Sequence, residues 1–214
     1  MTTGRRLPGC PSVEPALELQ RRPSASTERE RWNQKYRENP GAWREPDPFL
    51  AWAFSEYIQP LFAHGGRALD LAGGAGRHSI WLAQRGWDVA LIDLSETGVE
   101  LARQNAGPAS HIHLVIDDLT QFRASQTQFD VVMGFYYLER ENLPEILKAV
   151  RPGGVLLYKT YTTDQLKLPG GPKDALRLLA PGELMRLVRG MRALHYSETV
   201  AEKATAEMVA KKDE

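Results

Sequence analysis

Strand-like and helix-like segments alternate along this chain, and no other feature narrows the possible folds as far. Apolar runs of strand length stand at 67–72, 88–93, 112–116, 129–135 and 154–161. Helical patterns lie at 77–86, 95–106, 140–150 and 181–189. In the 140–150 segment Leu143, Ile146, Leu147 and Val150 make one apolar stripe, and Ser95 is a good N-cap for the helix that follows it. Alternation of this kind predicts right-handed βαβ crossovers and a mostly parallel sheet with helices on both faces. Two further runs, 192–199 and 204–210, have no helix between them and predict an antiparallel hairpin at one edge. The class is therefore α/β and Rossmann-like.

Ahead of this core the composition changes twice. Residues 1–27 carry Pro8, Pro11, Pro15 and Pro23 with few large apolar groups and read as a disordered tail. The remainder, 28–214, divides into a helical cap at 28–62 and the α/β core at 63–214. In the cap Trp32 and Tyr36 stand four apart on one helical face, and a second aromatic helix runs from Phe49 to Phe62. After the fifth strand the polar run "TTDQLKLPGGPKD" suits a hinged lid.

Composition excludes several classes. The 27 basic and 27 acidic residues balance, which argues against a broad phosphate-binding surface and hence against nucleic acid. Cys10 is the one cysteine, so neither a disulfide framework nor a cysteine zinc site fits within one chain. His64, His111, His113 and His195 lack zinc-ligand spacing, and no metal is expected. No apolar run approaches the roughly 20 residues that span a bilayer, and the first residues lack a secretory signal's apolar core. A cytoplasmic protein, monomeric or homodimeric, is the expectation.

The glycine loop carries the chemistry. "LDLAGGAGRHSIWLA", residues 69–83, runs from strand through Gly73-Gly74-Ala75-Gly76 into a helix, the place where open parallel sheets bind ligands. A dinucleotide fingerprint needs G-x-G-x-x-G; here Ser79 stands at the third glycine. Asp70 points elsewhere. A carboxylate just before the loop would repel a pyrophosphate and attract a cation, and S-adenosylmethionine has a sulfonium, an ammonium and no phosphate. Asp93 ends the second strand and can accept from ribose hydroxyls; Asp118 follows the third and can accept from an adenine amine. Three acids ending three successive strands favour S-adenosylmethionine over a nicotinamide.

The motifs "ALDLAGGAGRHSIWLA", "VALIDLSETGVELA", "VIDDL", "FDVVMGFYYLER" and "RPGGVLLYKTYT" together resemble a class I S-adenosylmethionine-dependent methyltransferase, closest to small bacterial tellurite-resistance-type proteins. The resemblance covers 28–210 and implies a seven-stranded sheet whose last strand is antiparallel. It also implies that Asp70, Gly74, Gly76 and Arg77 hold the methionine part. Asp93 and Leu94 would meet the ribose, and Asp118 and Leu119 the adenine. Ala72 replaces the first glycine of the family's D-x-G-x-G-x-G. Trp32 and Tyr36 resemble the N-terminal element that closes over the cofactor, and Phe135 adjoins it. Tyr136 follows the fourth strand over the reaction centre, where it can hydrogen-bond a small-molecule methyl acceptor. His78 reads as a local structural group. An acceptor on protein or RNA, a non-catalytic cofactor-binding protein and a nicotinamide oxidoreductase are the alternatives.

Overall fold

A computed structural model describes residues 24–41, 45–108, 111–124 and 128–214. The chain runs α1 (Ala25–Glu38), α2 (Pro48–Ala53), a π-helical turn (Phe54–Ile58) and α3 (Gln59–Leu61) before the sheet begins. The core follows as β1 (Arg67–Leu71), α4 (Arg77–Ala83), β2 (Asp88–Asp93), α5 (Glu96–Ala106), β3 (Ile112–Ile116), β4 (Phe129–Phe135), α6 (Leu143–Ala149), β5 (Val150–Tyr161), α7 (Glu183–Leu187), β6 (Arg192–Val200) and β7 (Ala204–Lys211). The sheet has seven strands in the order β3-β2-β1-β4-β5-β7-β6. Strands β1 to β5 pair in parallel, and β7 lies antiparallel between β5 and β6, as the hairpin reading requires.

Alternation along β1 fixes what each face sees. Leu69 and Leu71 join Leu143 and Ile146 of α6 and Leu184 of α7 on one side. Ala68 joins Leu82 of α4 and Phe49, Leu50 and Ala53 of α2 on the other. Asp70 shares the face of Ala68, so the period that buries the leucines also drives this acid under α4.

Element ends depart from the sequence reading for local reasons. The first helix begins at Ala25, capped by Ser24, whose hydroxyl accepts from Thr27 N–H; the expected tail boundary at 27 thus falls inside α1, and residues 1–23 of that tail lie outside the described residues. Helix α6 starts only at Leu143, because Pro144 occupies its first turn, and it stops where β5 begins at Val150, four residues before the expected strand. The run expected as a hinged lid is anchored near its start. Gln165 is 1 % exposed. It accepts from Ala204 N–H at 2.9 Å and donates to Gly170 C=O at 3.2 Å, which fastens this run to β7.

Ala72 sits at φ 54, the left-handed region that favours glycine. An L side chain there costs about 1–2 kcal/mol. Part of that cost is offset because alanine restricts the unfolded chain more than glycine does. Ala72→Gly is expected to stabilise the protein by about 0.5–1 kcal/mol, read as a melting point about 1–4 °C higher. An unchanged or lower melting point would show that the turn holds alanine without strain.

Candidate functional site

The site assembles at the carboxyl ends of β1, β2, β4 and β5. Asp70 is buried; its Oδ2 accepts from the Ser79 hydroxyl at 2.6 Å, while its Oδ1 is buried with no hydrogen-bond partner among the described residues. Burial pushes its carboxyl up to about 7, and the Ser79 hydrogen bond works against that rise. A carboxylate oxygen turned inward without a partner is a costly feature, and a donor or cation placed beside it removes the cost.

Asp93 does two jobs with its side chain. Oδ2 accepts from Gly74 N–H at 2.8 Å and Oδ1 from Ser95 N–H at 2.7 Å, so it braces both the glycine loop and the start of α5. Burial raises its carboxyl to about 6, against these backbone hydrogen bonds. Each oxygen still has a lone pair to offer. Gly74 (φ 54) and Gly76 (φ 81) take left-handed conformations that turn the chain from β1 into α4.

Helix α1 lies over this loop. A Cβ on Gly74 would sit 1.9 Å from the Tyr36 hydroxyl oxygen, and one on Gly98 would sit 2.8 Å from the Tyr36 ring. Tyr36 is buried, whereas Trp32 is half-buried and carries Lys35 Nζ 4.3 Å from its ring centroid. The sequence reading missed Asn33. This buried residue accepts from Ser95 Oγ at 2.7 Å and Thr97 N–H at 3.1 Å, docking α1 on the first turn of α5. A polar residue amid the charges of "ERERWNQKYRE" gives no signal of that.

Asp118 is half-buried after β3. Its Oδ1 accepts from Thr120 N–H at 2.9 Å, an Asx turn that leaves Leu119 buried. The neighbouring Asp117 N–H donates to Asp93 C=O at 3.1 Å, so the ends of β2 and β3 adjoin. Leu94 is half-buried beyond β2. Phe135 is buried between His78, 4.1 Å away by ring centroids, and Phe49, 6.2 Å away.

A second polar group flanks the loop on the β4–β5 side. Tyr136 has φ 59, rare for a large residue, and donates its hydroxyl to Asp47 Oδ2 at 2.6 Å. Lys159 reaches Asp47 Oδ1 at 3.0 Å and Glu207 at 3.3 Å. Hydrogen bonds from Tyr136 and Lys159 outweigh burial and hold the Asp47 carboxyl below the usual range. Asp47 N–H donates to His78 Nε2 at 3.2 Å, and burial lowers His78 to about 3, so this imidazole is neutral and acts as a structural acceptor. Arg77 opens α4 with its guanidinium 5.8 Å from the Tyr136 ring centroid. Arg140, also unread in the sequence, pairs with Glu183 through two bonds of 2.6 and 3.0 Å and donates to the carbonyls of Leu176 and Leu178. It thereby pins the segment that leads into α7.

The family described as "Methyltransferase domain" matches residues 68–154, from β1 into β5. Over these residues the chain is similar to methyltransferase domains. Two curated relatives agree in class. A demethylmenaquinone methyltransferase of Clavibacter sepedonicus is 30 % identical over 129 residues, 58 % of this chain and 53 % of the relative. A tRNA 5-carboxymethoxyuridine methyltransferase of Escherichia coli (strain K12) is 30 % identical over 138 residues, 54 % of this chain and 52 % of the relative. This chain therefore spans about half the length of the curated relatives it matches. Among solved structures, a TehB-like SAM-dependent methyltransferase from Corynebacterium glutamicum superposes with a TM-score of 0.62 at 19 % identity, covering 88 % of this chain and 100 % of that one. That likeness is one of fold, and it agrees with the tellurite-resistance-type resemblance of the motifs. The chain shares the fold of class I S-adenosylmethionine-dependent methyltransferases. Its matched span holds Asp70, the glycine loop, Asp93, Asp118 and Tyr136. Helix α1, Asp47 and Lys159 lie outside it.

Proposed function

We propose that the chain is an S-adenosylmethionine-dependent methyltransferase that acts on a small-molecule acceptor by in-line displacement. One observation carries the reading: Asp70 Oδ1, buried beside the glycine loop and without a partner among the described residues, suits a cationic ligand and not a phosphate. S-adenosylmethionine, when bound, supplies a methyl group on a sulfonium, which is electrophilic without further activation. The chain has the residues to hold it. Asp70 accepts from the ammonium, and the backbone at Ala72, Gly74 and Gly76 admits the methionine part, with Arg77 near its carboxylate. Asp93 uses its spare lone pairs on the ribose, beside Leu94. Asp118 and Leu119 meet the adenine, and Tyr36 and Trp32 close the loop side. Tyr136 orients the acceptor, and the packing of Phe135 against His78 sets the floor beneath it. The remaining work of the protein is to align the acceptor and exclude water.

Matching charges of 27 and 27 favour a small acceptor over RNA, although one relative is named for tRNA. The enzyme works in the cytoplasm as a monomer or homodimer. Among the described residues no helix is long and apolar enough to cross a membrane. Calorimetry with S-adenosylmethionine, S-adenosylhomocysteine and NAD tests the cofactor; micromolar binding of the first two and none of NAD is expected. Labelled methyl transfer into metabolite extract, RNA and protein then separates the acceptor classes. Tight NAD binding would overturn the reading.

A further inference from the structure

Tyr136 has one hydroxyl proton, and the protein has already claimed it. The hydroxyl donates to Asp47 Oδ2 at 2.6 Å. Asp47 cannot give a proton back: its other oxygen accepts from Phe49 N–H at 3.0 Å and from Lys159 Nζ at 3.0 Å. Lys159 is anchored in turn by Glu207 at 3.3 Å. The Asp47 backbone is tied to His78 on α4. The tyrosine is equally fixed. Its N–H donates to Lys159 C=O at 2.7 Å, and its left-handed backbone persists only because these contacts over-determine it. Elements α2, α4, β4 and β5 thus converge to hold one phenol in one orientation. What remains for a ligand on the Tyr136 oxygen is lone pairs alone.

We infer that Tyr136 meets the methyl acceptor only as a hydrogen-bond acceptor, so that the enzyme takes molecules presenting an O–H or N–H and rejects otherwise similar ones that lack it. The inference rests on the methyltransferase reading and names the substrate class for that site. Asp47 and Lys159 are positioning residues here, since they act through the phenol. Further side chains lie around the Tyr136 ring. The Tyr161 ring lies 5.1 Å from that of Tyr136. Lys203 Nζ stands 4.8 Å from the Tyr136 centroid. A site built to receive a donor discriminates, because an analogue without one forgoes that hydrogen bond.

The test uses the full chain saturated with S-adenosylhomocysteine and two probes of like shape, para-fluorophenol, which donates, and para-fluoroanisole, which cannot. Binding is read by fluorine NMR line broadening. The wild type is expected to bind the phenol about three- to tenfold more tightly, the range of one hydrogen bond. In Asp47→Asn the carboxamide oxygen keeps Phe49 N–H and Lys159, and its NH2 donates to Tyr136, whose proton then turns outward. The preference should reverse toward the anisole. Tyr136→Phe should abolish the preference in either direction, and it serves if Asp47→Asn folds poorly. A role limited to fastening α2 would leave the preference unchanged. Equal binding of the two probes to the wild type, binding of neither, or an unreversed preference in folded Asp47→Asn overturns the inference. Failure of S-adenosylhomocysteine itself to bind overturns the methyltransferase reading instead.

Discussion

Asp70→Asn is expected to melt higher than the wild type and to bind S-adenosylmethionine about tenfold to a hundredfold more weakly. Both effects come from one oxygen. Oδ1 is buried without a partner among the described residues, and burial has pushed the carboxyl up to about 7. Folding therefore takes up a proton at this acid. Its stabilising contribution is full below the unfolded value near 4 and is lost as pH rises through about 7. Asparagine has no charge to desolvate, so its melting advantage should grow from pH 5 to pH 8. The loss in binding reflects a charge-assisted hydrogen bond of about 1.5–3 kcal/mol. Binding to the wild type should itself depend on pH. Below about 7 a cationic ligand must displace the Asp70 proton, so affinity rises with pH and then levels. It should fall again above roughly 8, where an α-amino group loses its charge. S-adenosylhomocysteine should follow the same profile if the ammonium is the partner, since it keeps that group. A profile flat from pH 5 to pH 8, measured by calorimetry, would remove Asp70 from the site.

Much of this architecture is legible in the sequence because local patterns decide it. Five parallel strands and the terminal hairpin follow from apolar runs and from the presence or absence of helical spacing between them. The acids at the ends of β1, β2 and β3 follow from counting along those strands. What the chain hides is whatever depends on contacts distant in sequence. Nothing near Asp47 announces that it will meet Tyr136, 89 residues on, and Lys159, 112 residues on. Arg140 and Glu183 are likewise 43 apart, and their pairing decides where the segment after β5 rests. The anchoring of the run after β5 was hidden on the same ground, since one buried glutamine side chain ties it to β7. Phe135 is a different case. Val131, Met133 and Phe135 alternate onto the face shared with α2, so the period of β4 already contained its burial. For Trp32 and Tyr36, spacing shows a common face of α1 but not which ring lies deeper; the glycines at 74 and 98 decide that by leaving room for one of them.

That vacancy in the chain's own side chains supports the most damaging substitution expected. Gly74→Ala meets two penalties at once. Residue 74 has φ 54, where an L side chain costs about 1–2 kcal/mol. The new Cβ would also fall 1.9 Å from the Tyr36 hydroxyl oxygen and 2.8 Å from Cζ. Neither side gives way freely. Tyr36 is buried, its ring lies against Gly98, and Asn33 three residues earlier ties α1 to Ser95 and Thr97. On the other side Gly74 N–H is held by Asp93. Overpacking of this kind costs about 1–3 kcal/mol, so the sum is about 2–5 kcal/mol and a melting point lower by about 5–15 °C. The two penalties separate experimentally. Tyr36→Phe removes the nearest atom, so in the Gly74→Ala background it should restore part of the loss, while in the wild type it should cost little. The backbone penalty remains in the double variant. Protease cleavage within α1 should rise in Gly74→Ala and fall back in the double variant, because the clash acts by lifting that helix. If Gly74→Ala melts with the wild type, or if Tyr36→Phe rescues nothing, then Tyr36 does not rest on the glycine loop, and the closing role given to α1 goes with it.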